Sequence, residues 1–195
     1  MTIGVYSGSF DPIHTGHAMV ANYVGQWFGV DEVWIMVSRQ NPLKSGMMPE
    51  ADHHRMRMAE LVANKCANVK ASDFELSLPL PSYTYVTLCK LREAYPEHKF
   101  KLIIGSDNWL NLGRWRDADK IIKEFGLVIY PRPGYVTPLQ PPKGVEVLSK
   151  GPAAHVSASF VREMVASGGN INYFVPVEVA EYINTHNLYR MSDDN

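Results

Sequence analysis

Cysteine is nearly absent from this sequence. Cys66 and Cys89 are the only two, they lie in separate segments, and no CxxC or mixed Cys/His spacing surrounds them. That excludes a disulfide scaffold and leaves two reduced, mostly buried thiols as the expectation. An excess of one charge is missing as well: 19 Lys and Arg stand against 20 Asp and Glu, a formal net charge of −1. Without a basic footprint, a nucleic-acid partner held through many phosphates is not expected. A small anionic substrate stays open, because a local cluster of Arg, Lys and His fits on a neutral protein. No apolar run approaches the ~18 residues of a membrane span. The opening MTIGVYSGSF has neither a basic start nor an apolar stretch of export length. A cytoplasmic protein without membrane contact is the expectation.

What is present is an ordinary core composition, 46% hydrophobic and 20% charged over 195 residues. A chain of that length buries roughly 70% of its unfolded surface and needs no staples. Repeats, low-complexity tracts and linkers are lacking, so one domain over 1–195 is expected, its C-terminal helical part at about 157–190.

The pattern alternates between strand and helix. Residues 2–6 form a short apolar run, Ser7 and Gly8 open a turn, and 15–28 carry apolar residues at helical spacing up to Gly29. Residues 33–37 (VWIMV) are apolar on both faces, as in a buried parallel strand. Strand, glycine turn, helix, strand implies a right-handed crossover. Further helices are predicted at 49–64, 84–94, 118–125, 157–166 and 176–184, and strands at 69–74, 100–104, 127–130 and 145–148. Residues 131–142 hold five prolines and a glycine and read as a loop. The fold class is α/β: a doubly wound, mostly parallel, Rossmann-like sheet with a small helical C-terminal extension.

The densest chemistry lies directly after the first strand, in Gly8-Ser9-Phe10-Asp11-Pro12-Ile13-His14-Thr15-Gly16-His17. In an open α/β sheet ligands sit at the carboxyl ends of strands. Ser7, Gly8 and Ser9 are small enough for backbone amides to approach a phosphate, and the next helix start supplies N–H groups and partial positive charge. His14 and His17, three residues apart, face the same anion, and His17 is suited to donate to a phosphoryl oxygen. A purely structural turn would not need two histidines. Zinc ligation would want a carboxylate at the usual spacing. Residues 156–162 (VSASFVR) repeat the logic near the other end: Ser157 is a helix N-cap, and Ser159 and Arg162 share a helix face on which both meet one polyphosphate.

GSFDPIHTGH resembles the (G/T)xFDPxHxGH signature of the HxGH nucleotidyltransferase superfamily, and VSASFVR resembles its ISSTxIR-like second signature. The resemblance implies a dinucleotide-binding-like fold and ATP bound by Gly8, Ser9, Phe10, His14, His17, Gly105, Asp107, Ser157, Ser159 and Arg162. Within the superfamily the chain looks most like the bacterial nicotinate-nucleotide adenylyltransferases, over nearly its whole length. Ser82-Tyr83-Thr84 with Thr87-Leu88 resembles the SYTxxTL segment that faces nicotinate, and Ile103-Ile104-Gly105-Ser106-Asp107 resembles IIGxD. Trp115 falls at the ring-stacking tryptophan, Arg132 lies in an RRPGY-like loop, and 182–190 resembles the YIxxxxLYR terminus. Nicotinate mononucleotide is thus the expected acceptor, held by Lys44, Tyr83, Thr84, Trp115 and Arg132. Its carboxylate would meet amides at the helix start near Tyr83 and Thr84.

Asn41-Pro42-Leu43-Lys44 departs from the family's NPPHK-like loop, being shorter and lacking its histidine. Lys44 keeps the charge role, and Gly46 makes the loop a candidate lid. Positions 9 and 158 are Ser and Ala where Thr and Ser are usual.

The resemblance implies adenylyl transfer from ATP by direct in-line attack, with catalytic roles for His17, Arg162, Lys44 and His14. Mg²⁺ would be carried on the polyphosphate, without a protein cage. Assembly into a homo-oligomer is compatible with it. The rival readings are the same chemistry on nicotinamide mononucleotide or phosphopantetheine, cytidylyl transfer to an alcohol phosphate, and a nucleotide-binding module without turnover. Weakest is a metal site using His53 and His54 with His14 and His17, since neighbours on a helix point apart.

Overall fold

The computed structural model describes residues 1–39, 50–151 and 153–190. Lys44 and Gly46 lie outside the described residues, and with them the reading of 41–44 as a phosphate contact and of the loop as a lid.

Six strands form one sheet: β1 (Thr2–Gly8), β2 (Glu32–Val37), β3 (Val69–Ser72), β4 (Lys99–Gly105), β5 (Leu127–Tyr130) and β6 (Val145–Val147). Their order is β3-β2-β1-β4-β5-β6, and every pairing is parallel. The apolar runs are the reason. All six residues of β2 and all four of β5 are buried, as strands covered on both faces must be. The mostly parallel sheet of the sequence reading is thus wholly parallel over the described residues.

Successive side chains of β1 supply opposite cores. Ile3 and Val5 join the layer holding Leu88 and Leu91 of α3 (Thr84–Ala94) and Ile121 of α5 (Ala118–Glu124). Tyr6 joins the layer on the other face. That layer takes Val20 and Val24 of α1 (Thr15–Trp27) and Met58 and Val62 of α2 (Asp52–Ala63). It also takes Val161 of α6 (Ala158–Ala166) and Val179 and Ile183 of α7 (Val177–Thr185), so the C-terminal helices complete the face that α1 and α2 begin. Truncating a fully buried Leu88 or Ile183 should cost roughly 2–5 kcal/mol.

The order reverses at β1, with β2 on one side and β4 on the other, and the loops leaving β1 and β4 turn to opposite faces. This is where a doubly wound sheet opens a crevice. β1 runs farther than predicted, through Ser7 to Gly8, where a turn was expected, while β4 ends at Gly105. β3 instead stops at Ser72, and a 3₁₀ turn follows at Phe74–Ser77. β3 is an edge strand with a single neighbour, and Phe74 leaves it to pack with the layer under α3. The short helix α4 (Ser106–Asn111), directly after β4, had no sequence expectation. Gly29 has φ +59 just past the end of α1, as a terminating glycine should. No helix among the described residues is long and apolar enough to cross a membrane.

Candidate active site

His14 is the N-cap of α1, in extended conformation, and its Nδ1 accepts from the His17 backbone N–H at 3.4 Å. The His14 N–H in turn donates to His17 Nδ1 at 3.3 Å, a reciprocal capping box made by two histidines. Their rings stack with centroids 3.6 Å apart. Because both Nδ1 atoms accept, each neutral ring carries its proton on Nε2. Burial lowers His14 to about 4, and the nearby Arg132 adds to the effect, so it is neutral at physiological pH. Phe10 and Tyr6 meet the His17 ring edge-on at 5.0 and 6.0 Å and fix its plane. Phe10 has φ +46 and is buried. A Cβ at Gly8 would approach its ring to 3.1 Å, so any side chain there would press on Phe10.

Beneath this loop lies Arg55, wholly buried. Its guanidinium donates to the carbonyls of Ser9 and Ser38, both at 2.6 Å, and of Glu50 at 2.9 Å, and pairs with Asp52. One planar cation thus ties the ends of β1 and β2 to the start of α2, which suits Arg and not Lys.

Asp11 joins the first loop to the C-terminal part. Its Oδ1 accepts from the Tyr189 hydroxyl at 2.8 Å, while Arg162 Nη1 donates to its carbonyl at 2.6 Å. Burial and the adjacent Asp11 charge push the Tyr189 hydroxyl well above its ordinary range. On α6, Ser157 Oγ caps the helix by accepting from Phe160 N–H at 3.2 Å, and Arg162 Nη2 donates to Ser159 Oγ at 3.3 Å.

Across the crevice, Arg132 pairs with Asp107 at 3.1 Å, and its backbone N–H donates to Ser106 Oγ at 2.9 Å. A Cβ at Gly105 would lie 2.8 Å from the Arg132 side chain and clash with the Asp107 carboxylate, so this pair needs glycine behind it. Tyr83 is the N-cap of α3 and makes no side-chain cap, which leaves the helix start to a ligand or water. The Arg116 guanidinium lies 4.9 Å over the Tyr83 ring.

These groups surround one cavity of about 350 Å³ between the ends of β1 and β4. That is within the size range of small-molecule sites. The starts of α1, α3 and α6 border it, as do Arg114, Arg116, Arg132 and Arg162. Three helix N-termini and four guanidiniums, one of them paired with Asp107, stand against the two lining carboxylates of Glu75 and Asp107, a balance that suits an anionic ligand.

A family model described as cytidylyltransferase-like matches residues 5–164. A probable nicotinate-nucleotide adenylyltransferase of Bacteroides thetaiotaomicron is 43% identical over 192 residues, covering 98% of this chain and 95% of its own. That of Flavobacterium johnsoniae is 37% identical over 197 residues, covering 97% and 100%. The chain belongs to the nicotinate-nucleotide adenylyltransferases, within the cytidylyltransferase-like family. Among solved structures, the Plasmodium falciparum nicotinic acid mononucleotide adenylyltransferase complexed with NaAD matches at a TM-score of 0.78 and 22% identity. It covers 96% of this chain and 97% of its own, and at that identity it speaks for the fold.

The enzyme brings every sequence-predicted site residue except Lys44 to the wall of this one cavity. The residues expected at ATP enter from four places: Gly8, Ser9 and Phe10 at the end of β1, the His14–His17 pair, Gly105 and Asp107 at the end of β4, and Ser157, Ser159 and Arg162 at α6. Tyr83, Thr84, Trp115 and Arg132 line the same cavity. His53 and His54 do not point apart, as adjacent helix positions would suggest: their rings lie 4.0 Å apart, because His54 leans onto Tyr182 of α7, with Nδ1 2.9 Å from its hydroxyl. Among the described residues no group of three His, Cys, Asp or Glu is placed to hold a metal ion.

Three residues escaped the sequence reading. Arg55 sits on a helix face where a surface ion pair is the default. Asp11 was read only as part of a motif. Glu75, buried beside the cavity, accepts from Ser7 Oγ at 3.1 Å and Ser82 Oγ at 2.9 Å. The signal available for it was an acidic residue seven positions before the SYT segment.

Proposed function

We propose that this nicotinate-nucleotide adenylyltransferase works by direct in-line displacement. The acceptor's phosphate oxygen attacks the α-phosphorus of ATP, the bond to the bridging oxygen breaks, and pyrophosphate leaves. The products are nicotinate adenine dinucleotide and pyrophosphate. The acceptor phosphate is already an anion, so no general base is needed and no covalent enzyme intermediate forms. The observation that carries this reading is the reciprocal His14–His17 cap, which uses both Nδ1 atoms and sets the two rings at a helix start on the cavity wall.

Each residue then has a defined task. His17 Nε2–H and Arg162 donate to phosphoryl oxygens as charge grows on them, and the amides of Gly8 and Ser9 approach closely for want of side-chain bulk. Such preorganised donors usually supply the largest part of phosphoryl-transfer catalysis. His14 stays neutral and orients His17. Tyr83 and Thr84 offer the uncapped start of α3 to the nicotinate carboxylate, Trp115 stacks on the pyridine ring, and Arg132 takes the acceptor phosphate. Mg²⁺ carried with ATP would supply charge neutralisation for the leaving pyrophosphate. The enzyme acts in the cytoplasm as one domain.

The test uses ATP made chiral at the α-phosphorus with sulfur, incubated with nicotinate mononucleotide and Mg²⁺. The dinucleotide should form with inverted configuration. Retention would mean a covalent adenylyl-enzyme, and absence of dinucleotide from ordinary ATP would overturn the activity.

A further inference from the structure

Glu75 is a buried carboxylate at the cavity that the proposed reaction does not use. It stands on the 3₁₀ turn after β3, and the residue is 8% exposed. Both oxygens are engaged: Oε2 by Ser7, one residue before Gly8, and Oε1 by Ser82, one residue before Tyr83. The first serine leads into the phosphate loop, and the second into the start of α3. Burial raises the Glu75 carboxyl above its ordinary value, and the two serine hydroxyls only partly counter this. Two neutral hydroxyls are a poor return for a desolvated carboxylate, and an apolar side chain of similar volume would serve stability as well or better.

The two ends of the tie differ in their other supports. The phosphate loop is also held by Arg55 at the Ser9 carbonyl and by Arg162 at the Asp11 carbonyl. The start of α3 has no side-chain cap. Losing the tie would therefore leave the phosphate loop in place and loosen the residues before α3.

We propose that Glu75 is a positioning residue for adenylyl transfer, setting the acceptor seat at Tyr83 and Thr84 against the phosphate loop through Ser82 and Ser7. The proposal rests on the acceptor assignment above. A displacement of about 1 Å at such a seat is enough to cost up to ~10² in rate.

The experiment compares Glu75→Leu, Glu75→Gln and Ser82→Ala by steady-state kinetics in both substrates and by backbone amide exchange. In Glu75→Leu the KM for nicotinate mononucleotide should rise about tenfold or more, while that for ATP stays within about threefold. Glu75→Gln, able to accept from one serine and donate to the other, should raise the acceptor KM by less. Ser82→Ala should resemble Glu75→Leu. The Thr87 amide, bonded to the Tyr83 carbonyl at 3.0 Å, should exchange faster in Glu75→Leu, with the amides of His17 and Ala18 at the start of α1 unchanged. A parallel rise of both KM values, or an acceptor KM that does not move, would overturn the proposal. Should the unaltered enzyme ignore nicotinate mononucleotide, the acceptor reading fails on its own. Amide exchange still decides the positioning claim, which unchanged protection at Thr87 would refute.

Discussion

Arg162 donates to the carbonyl of Asp11 at 2.6 Å, so two segments 151 positions apart in sequence meet directly. The same guanidinium reaches Ser159 Oγ at 3.3 Å and lines the cavity. Its planar fork serves a backbone carbonyl and a hydroxyl at once, which the point charge of a lysine cannot do with the same geometry. Arg162→Lys should lower kcat roughly 10²–10³-fold, with ATP affinity weakened far less. Rapid-quench measurement of the transfer step checks this, and a near-normal rate would remove Arg162 from the reaction.

His17→Ala removes both a donor and half of the capping box. Turnover should fall by at least ~10². Stability should fall by only about 1 kcal/mol, the usual worth of a cap. Turnover in saturating substrates and a urea melt separate the two effects, and a variant that unfolds would refute the division of roles.

His14 makes stability depend on pH in a definite direction. Its folded value of about 4 lies below the ordinary 6.5, so the unfolded chain binds the extra proton first. The contribution is complete above about pH 6.5, declines as pH falls from there to about 4, and is constant below. Denaturation midpoints across pH 4–8 should show this decline, reduced in His14→Asn, whose side chain still caps. Proton NMR of the His14 ring should show no inflection near pH 6.5.

Arg55→Met keeps volume and removes a cation that serves four backbone carbonyls, those of Ser9, Ser38, Arg39 and Glu50. A buried acceptor left without a partner costs about 1–3 kcal/mol. The loss should therefore reach ~3 kcal/mol or more, and the phosphate loop should loosen with it. Chemical denaturation gives the first number. An ATP KM that stays unchanged would show that Arg55 does not support the nucleotide site.

The sheet was legible in the sequence because parallel strands buried on both faces are unbroken apolar runs, as VWIMV and LVIY are. Helices showed through Leu88, Leu91, Val161 and Val165 at helical spacing. β3 was read too long because an edge strand ends where tertiary packing claims Phe74, and no local signal marks that point. The cavity's wall was legible wherever a dense motif followed a strand or opened a helix. Arg55 and Glu75 were not, since their work is to hold backbone and hydroxyls brought together only by folding. His53 and His54 were misjudged from backbone geometry alone, because the contact with Tyr182 comes from a helix more than a hundred residues later.

The most direct measurement is pyrophosphate release from ATP and Mg²⁺ with nicotinate mononucleotide, nicotinamide mononucleotide and phosphopantetheine in parallel. The account predicts release with a strong preference for the nicotinate form, because the uncapped start of α3 meets a carboxylate better than a neutral amide. Equal or greater release with either of the other acceptors would contradict the assignment of Tyr83, Thr84 and Trp115 to the nicotinate ring.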